Sequence, residues 1–208
     1  MRAWTLALTL LAAALCARPE ARANGRFPAA DWVIAAPGLR RVVLRTTFGL
    51  VVSDDGGRSW GWVCEGALSR SADITPPVVI GGDALMVAGV PEGITTSMTG
   101  CDWLPPRVAP TTRVIDLAQD ATGRVMVAAV SDVAGDRIDF SEDHGRTWTT
   151  GAQRAGLFLE TVEVAPGMPS RVYASGYLGG DPVVLRSDDG GRTAREMTRD
   201  FGGLLSVW

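Results

Sequence analysis

The segment Ser53-Asp54-Asp55-Gly56-Gly57-Arg58-Ser59-Trp60 decides the fold, because it recurs along the chain. Two further copies are SEDHGRTW at residues 141–148 and SDDGGRTA at residues 187–194, and a degenerate copy is TSMTGCDW at residues 96–103. These four copies are called box 1 to box 4 in chain order. Their first residues, 53, 96, 141 and 187, are 43, 45 and 46 residues apart. Near-equal spacing with matched residues indicates a repeat architecture.

The residue types of a box suit a tight hairpin turn. Serine and aspartate side chains accept hydrogen bonds from nearby backbone amides, and glycine at the fifth position allows a positive φ. The closing tryptophan returns to a strand, where its ring can pack between sheets. We therefore expect structural roles for Ser53, Asp55, Gly57, Trp60, Gly100, Trp103, Ser141, Asp143, Gly145, Trp148, Ser187, Asp189 and Gly191.

The sequence around the boxes repeats as well. An apolar run lies upstream of each box, at residues 42–44, 85–87, 125–127 and 172–174. Residues 115–118 (IDLA) and 162–165 (VEVA) match each other and alternate as half-buried strands do. Four short strands in about 45 residues is the size of one propeller blade. The sequence predicts an all-β, propeller-type array of about four four-stranded blades, at residues 31–69, 70–110, 111–155 and 156–200.

The pattern Ser-x-Asp-x-Gly-x-Thr-Trp resembles the Asp-box, or BNR, repeat of the sialidase-like and WD40/YVTN-like β-propellers. Box 1 departs from it at Ser59, box 2 at Met98 and box 4 at Ala194. The resemblance implies that the boxes lie at the rim, away from the central pocket where ligands bind. Propellers of this family close with more than four blades. We therefore expect a partial propeller, and the alternatives are a compact closure or completion by another chain.

The first 23 residues have the pattern of a secretory signal peptide. Met1-Arg2 precedes an apolar run over residues 3–15, and Ala21-Arg22-Ala23 offers a cleavage site. We predict an exported, periplasmic or extracellular protein whose mature domain spans residues 24–208. Cys16 leaves a lipid anchor as the less favoured alternative. No later segment has 18 consecutive apolar residues, so we expect no membrane span in the mature chain.

Two cysteines, Cys64 and Cys101, follow the leader. In an exported chain such a pair predicts a disulfide, and two separately buried thiols are the alternative. The net charge of −3 and the lack of a basic stretch exclude a nucleic-acid-binding surface. With one histidine in the chain, no multi-histidine metal centre can form. The sequence therefore indicates no cofactor and no metal site.

No catalytic residue is assigned. Asp55, Asp143 and Asp189 occupy equivalent box positions, so we interpret them as turn residues. The sialidase resemblance directs attention to Arg26-Phe27-Pro28 and to a tyrosine nucleophile, for which the chain offers Tyr173 and Tyr177. Tyr173 stands where the earlier repeats have aliphatic residues, and this position predicts a core role for it.

These observations favour an exported, non-enzymatic propeller that serves as a binding or assembly module for a protein or glycan. A sialidase-like glycoside hydrolase is the first alternative. A propeller that resembles the Asp-box photosystem assembly factors is the second.

Overall fold

The computed structural model describes residues 28–38, 40–71 and 75–197. The expected signal peptide, Cys16 and the Arg26-Phe27 pair lie outside these residues. Within them, short antiparallel strands account for nearly all of the regular structure, and one helical turn, α1 (Glu65–Leu68), follows the first sheet. No helix in this part of the chain is long and apolar enough to cross a membrane.

The strands form four consecutive sheets, called blades 1 to 4, each a simple antiparallel meander. Blade 1 contains β1 (Ala30–Ala35), β2 (Val42–Thr46), β3 (Gly49–Ser53) and β4 (Gly61–Cys64). Blade 2 contains β5 (Val78–Ile80), β6 (Met86–Val90) and β7 (Gly93–Ser97). Blade 3 contains β8 (Val114–Gln119), β9 (Met126–Val130), β10 (Arg137–Ser141) and β11 (Thr149–Gln153). Blade 4 contains β12 (Leu157–Val164), β13 (Val172–Leu178), β14 (Asp181–Ser187) and β15 (Arg195–Glu196).

Blade 2 differs from the expected four strands. Its outer edge holds a single bridge between Thr96 and Leu104 where the other blades have a fourth strand. Pro105 and Pro106 follow at once. Because proline has no N–H to donate to a strand ladder, the pairing ends there.

Apolar side chains fill the space between neighbouring blades in three clusters. The cluster between blades 1 and 2 contains Leu50 and Met86, the next contains Val87 and Trp148, and the third contains Ile138 and Val172. Each interior sheet thus buries both of its faces. The face turned to the next blade is called the following face, and the opposite one is called the preceding face.

One register position shows how the blades repeat. The second strand of each blade pairs its first residue with the box serine, and the next residue belongs to the following face. In blades 1 to 3 that residue is Val43, Val87 or Val127, each fully buried. In blade 4 it is Tyr173, which is 36% exposed. The expected core role of Tyr173 is therefore wrong, because no described blade covers the following face of blade 4.

Candidate functional site

The aspartates of boxes 1, 3 and 4 are all used to hold the turn. In box 3 the Ser141 hydroxyl donates to Asp143 Oδ1 at 2.8 Å and accepts the Gly145 N–H at 2.9 Å. Thr147 donates its N–H to Oδ1 and its hydroxyl to Oδ2 of Asp143, at 2.9 and 2.6 Å. Trp148 closes the turn by donating its indole N–H to the Gly145 carbonyl at 3.0 Å.

These hydrogen bonds stabilise the ionised carboxylates. Bonds from Thr193 lower the pKa of Asp189 to about 2, and bonds from Ser59 place the pKa of Asp55 well below its usual range. At Asp143, partial burial acts to raise the pKa, but the hydrogen bonds from Thr147 outweigh it, so the pKa of Asp143 is lowered as well. A carboxylate that is saturated with donors is a poor general acid or base near neutral pH.

Box 2 is one residue shorter than its sequence alignment indicates. The buried Ser97, rather than Thr96, pairs with the first residue of its neighbouring strand, as the other box serines do. Its hydroxyl accepts the Gly100 N–H at 2.8 Å, and Trp103 donates to the Gly100 carbonyl at 2.9 Å. The spacing to Gly100 is three residues instead of four, and this deletion concealed Ser97 in the sequence.

The expected disulfide is not formed. Cys64 and Cys101 are free thiols, and both are exposed. A Cβ placed on Gly100 would lie 3.3 Å from the Val63 side chain, so Val63 is the residue of β4 that faces box 2. Because side chains alternate along a strand, Cys64 points to the opposite face.

The inner strands of all four blades line one open cavity of about 680 Å³. Residues 32–35 of β1, 115–119 of β8 and 160–163 of β12 contribute, together with Pro77 and the start of β5. The charged residues of this lining are Arg45, Asp116, Glu160 and Glu163. The cavity therefore carries an excess of negative charge, and its position at the meeting point of the blades is typical of a ligand site.

Asp116 is the most constrained carboxylate of the cavity. It accepts the Val162 N–H at 3.0 Å and the Leu117 N–H at 2.9 Å, so it connects β8 to β12. Burial raises its pKa despite these bonds and the attraction of Arg45. Burial also raises the pKa of Glu163, and repulsion by Asp116 adds to this effect.

Arg45 and Trp32 form the opposite wall of the cavity. The Arg45 Nε donates to Asp31 at 3.1 Å, and its guanidinium lies 5.9 Å from the centre of the Trp32 ring. Trp32 is largely exposed. Arg45 is thus partly neutralised by Asp31, whereas the aromatic face remains accessible.

None of these cavity residues was singled out from the sequence. The sequence signal that could have found them is the alternation of apolar and polar residues in two strands, where Asp116 and Glu163 occupy the polar positions. The sequence match that paired these two residues is shifted by two positions. Asp116 pairs with Ala129, which lies three residues after Met126, the strand partner of the box serine Ser141. Thr161 pairs with Ser175, which lies three residues after Val172, the strand partner of the box serine Ser187. Asp116 therefore corresponds to Thr161.

The two tyrosines considered as sialidase nucleophiles do not line this cavity. Tyr173 and Tyr177 lie on β13, on the following face of blade 4. Among the residues the structure describes, no group of three or more His, Cys, Asp or Glu side chains is arranged to hold a metal ion.

No protein-family model matches the chain, and no curated protein matches it. Solved structures similar to it are β-propeller proteins. Hydrazine synthase from Kuenenia stuttgartiensis has a TM-score of 0.62 at 10% identity, over 86% of this chain and 52% of that one. The GH74 xyloglucanase from Xanthomonas campestris has a TM-score of 0.54 at 22% identity, over 84% and 30%. YCF48 bound to a D1 peptide has a TM-score of 0.51 at 16% identity, over 86% and 56%.

These similarities define the fold, which is that of a β-propeller segment. The chain spans between about a third and somewhat more than half of the length of these three structures.

Proposed function

We propose that the protein is an exported, Asp-box type propeller module that binds its partner in the central cavity. The observation that carries the proposal is the convergence of four inner strands on an acidic cavity that contains Asp116, Glu160 and Glu163. The boxes are excluded from this role because their carboxylates are saturated by hydrogen bonds of their own turns.

The cavity favours a polypeptide partner that presents a lysine or arginine side chain. Three carboxylates outnumber the one arginine, and that arginine is paired with Asp31. The exposed ring of Trp32 adds a surface on which a cation or an apolar side chain can lie. YCF48, whose structure contains a D1 peptide, supports a peptide as the partner class at the level of fold.

The test is a selection from a random peptide library displayed on phage, with the full chain expressed with its leader and purified as the host processes it. We expect the enriched peptides to be basic. Their dissociation constants should rise at least about tenfold in the Asp116→Asn/Glu163→Gln variant. Glu196→Gln, on the exposed outer strand β15, is the matched control and should leave binding unchanged. Enrichment without basic residues, or equal binding to the double variant, contradicts the proposal.

A glycoside hydrolase is the second candidate, and one observation favours it. The pKa values of Asp116 and Glu163 are both raised, as a carboxyl group that donates a proton near neutral pH requires. The similar GH74 protein is a xyloglucanase. Incubation of the same samples with xyloglucan separates the two functions, since reducing sugar released by the wild type and lost in Glu163→Gln would place the hydrolase first.

A further inference from the structure

Box 4 differs from the other boxes at its eighth residue. Trp60, Trp103 and Trp148 occupy this position in boxes 1 to 3, and each donates its indole N–H to the glycine carbonyl of its own box. Box 4 has Ala194 instead, and this alanine packs against the cluster between blades 3 and 4. Box 4 therefore supplies a methyl group to its interface, where boxes 2 and 3 supply an indole ring to theirs.

The strand that faces box 4 is small at the matching place. In the interface between blades 1 and 2, Val63 of β4 lies against Gly100 of box 2, and Trp103 packs in the same cluster. In the interface between blades 3 and 4, Gly151 of β11 lies against Gly191 of box 4. Val63 and Gly151 are each the third residue after their own box. Glycine and alanine thus replace valine and tryptophan at two opposed positions.

Blades 3 and 4 cannot close over this missing side-chain volume, because their backbones already touch. A Cβ on Gly151 would lie 2.2 Å from the Gly191 carbonyl oxygen. The Ala152 N–H donates to the same carbonyl at 2.8 Å. An open cavity of about 410 Å³ lies beside Ala194, between β11 and box 4, and is called the box 4 cavity.

The box 4 cavity is apolar at its base. Leu157 and Leu185, both buried, line it. Arg154 and Arg192 line it as well, but each has an acidic partner. The Arg192 guanidinium already lies 4.3 Å from the centre of the Phe140 ring, and a guanidinium plane stacks well on aromatic rings. Among the described lining residues no charge is left uncompensated, so the cavity favours a neutral aromatic ligand.

We propose that the box 4 cavity binds an indole ring that enters from solvent. The ring lies beside Ala194, where the other boxes place a ring of their own. Room is sufficient, since an apolar cavity of about 150 Å³ already holds benzene. Burial of the ring and stacking on Arg192 hold it, because the Gly191 carbonyl is already bonded to Ala152. None of the described lining residues is shared with the central cavity, so this site is independent of the one proposed for the peptide.

The first test is isothermal titration calorimetry of the full chain, expressed with its leader and purified as the host processes it, with indole. We expect a dissociation constant of about 1 mM or below. Cyclohexanol, a saturated ring, should bind at least about tenfold more weakly, because it cannot stack on a guanidinium. Absence of indole binding, or equal binding of cyclohexanol, overturns the proposal.

The second test fills the cavity from within. Ala194→Trp restores the ring of the other boxes, so it should weaken indole binding at least about tenfold, and its urea midpoint should not fall below that of the wild type. Thr150→Trp is the matched control, because Thr150 is exposed on β11 and its side chain points away from Gly151. This control should bind indole as the wild type does. An Ala194→Trp chain that unfolds, or that binds indole unchanged, overturns the proposal.

A third measurement identifies the source of the ring. N-acetyl-tryptophanamide carries the same ring on a peptide backbone. Binding within about tenfold of indole indicates a tryptophan of a partner polypeptide, and much weaker binding indicates a free indole compound. Trp208 of this chain lies outside the described residues. Indole that binds only to the Trp208→Ala variant would mean that the chain itself supplies the ring, and this overturns the proposal.

Discussion

Box 1 and box 3 have the same turn in different surroundings. The box serine accepts the glycine N–H at 2.8 Å in box 1 and at 2.9 Å in box 3. Both closing tryptophans donate to the glycine carbonyl at 3.0 Å. Nevertheless Trp60 is 44% exposed and Trp148 is 3% exposed.

This difference in exposure distinguishes two levels of structure, the local hydrogen bonds of a box and the long-range packing of one blade on the next. The bonds made by the serine, the aspartate and the tryptophan are internal to the box. One further bond anchors the turn within its own blade, since the fourth box residue donates its N–H to the carbonyl of Arg40 in box 1 and of Arg124 in box 3. Burial of the closing ring depends on the preceding blade, which lies about 45 residues earlier in the repeat. The boxes therefore define the blades, and the packing between blades provides most of the apolar burial.

Trp148→Ala should have the largest effect on stability. Removing a fully buried ring leaves a cavity between blades 2 and 3, and we expect a loss of about 3–5 kcal/mol in the free energy of unfolding. The measurement is urea denaturation followed by circular dichroism.

Trp60→Ala is the matched control in the same measurement. The Trp60 ring is partly exposed, and its removal should lower the free energy of unfolding by about 1 kcal/mol or less. Equal losses at the two positions would contradict the comparison, because they would mean that the ring contributes through its own box rather than through the neighbouring blade.

The local level is what the sequence predicts well. Serine, aspartate and glycine at fixed spacing specify the hairpins, and the alternating runs beside them specify the strands. The all-β fold and its sheets follow from these patterns. The fourth strand of blade 2 was expected but does not form, because Pro105 and Pro106 interrupt the ladder after a bridge at Leu104.

The long-range level is what the sequence leaves open. The exposure of Tyr173 could not be predicted from a position at which the other blades have a buried valine, because it depends on whether a blade follows. The separation of Cys64 and Cys101 depends on which face of β4 meets box 2. The cavity residues Asp116 and Glu163 come from strands of different blades, and only the folded chain brings them to one cavity.

Asp143→Ala tests the local hydrogen bonds of box 3, and its effect on the free energy of unfolding should be intermediate. The carboxylate accepts hydrogen bonds from Ser141 and Thr147, and its loss leaves the donors of the turn without their acceptor. We expect the free energy of unfolding to fall by about 2 kcal/mol in urea denaturation. Glu142→Ala, one residue earlier and exposed, is the control and should change it by about 0.5 kcal/mol or less. A larger loss in the control would contradict a role for the aspartate itself.

The smallest effect is a pH dependence that tests whether the carboxylate of box 4 is stabilised by its own turn, as the carboxylate of box 3 is. The pKa of Asp189 is lowered to about 2 by Thr193, so this carboxylate stabilises the fold at pH values above its ordinary pKa of 3.8. That contribution should disappear as the pH falls through about 2. Stability measured by urea denaturation should therefore be higher for the wild type than for Asp189→Asn at pH 5, and the difference should shrink towards pH 2.

Asp116→Asn is the control of opposite sign, because burial raises the pKa of Asp116. Its protonated form is favoured in the folded chain, so the wild type should gain stability relative to this variant as the pH falls through the raised pKa. Asp143→Asn, in an interior blade, should follow Asp189→Asn, since bonds within the box lower the pKa of Asp143 as well. If the pH dependence of Asp189→Asn instead followed that of Asp116→Asn, the box would respond to burial, and the locality inferred from boxes 1 and 3 would fail for box 4.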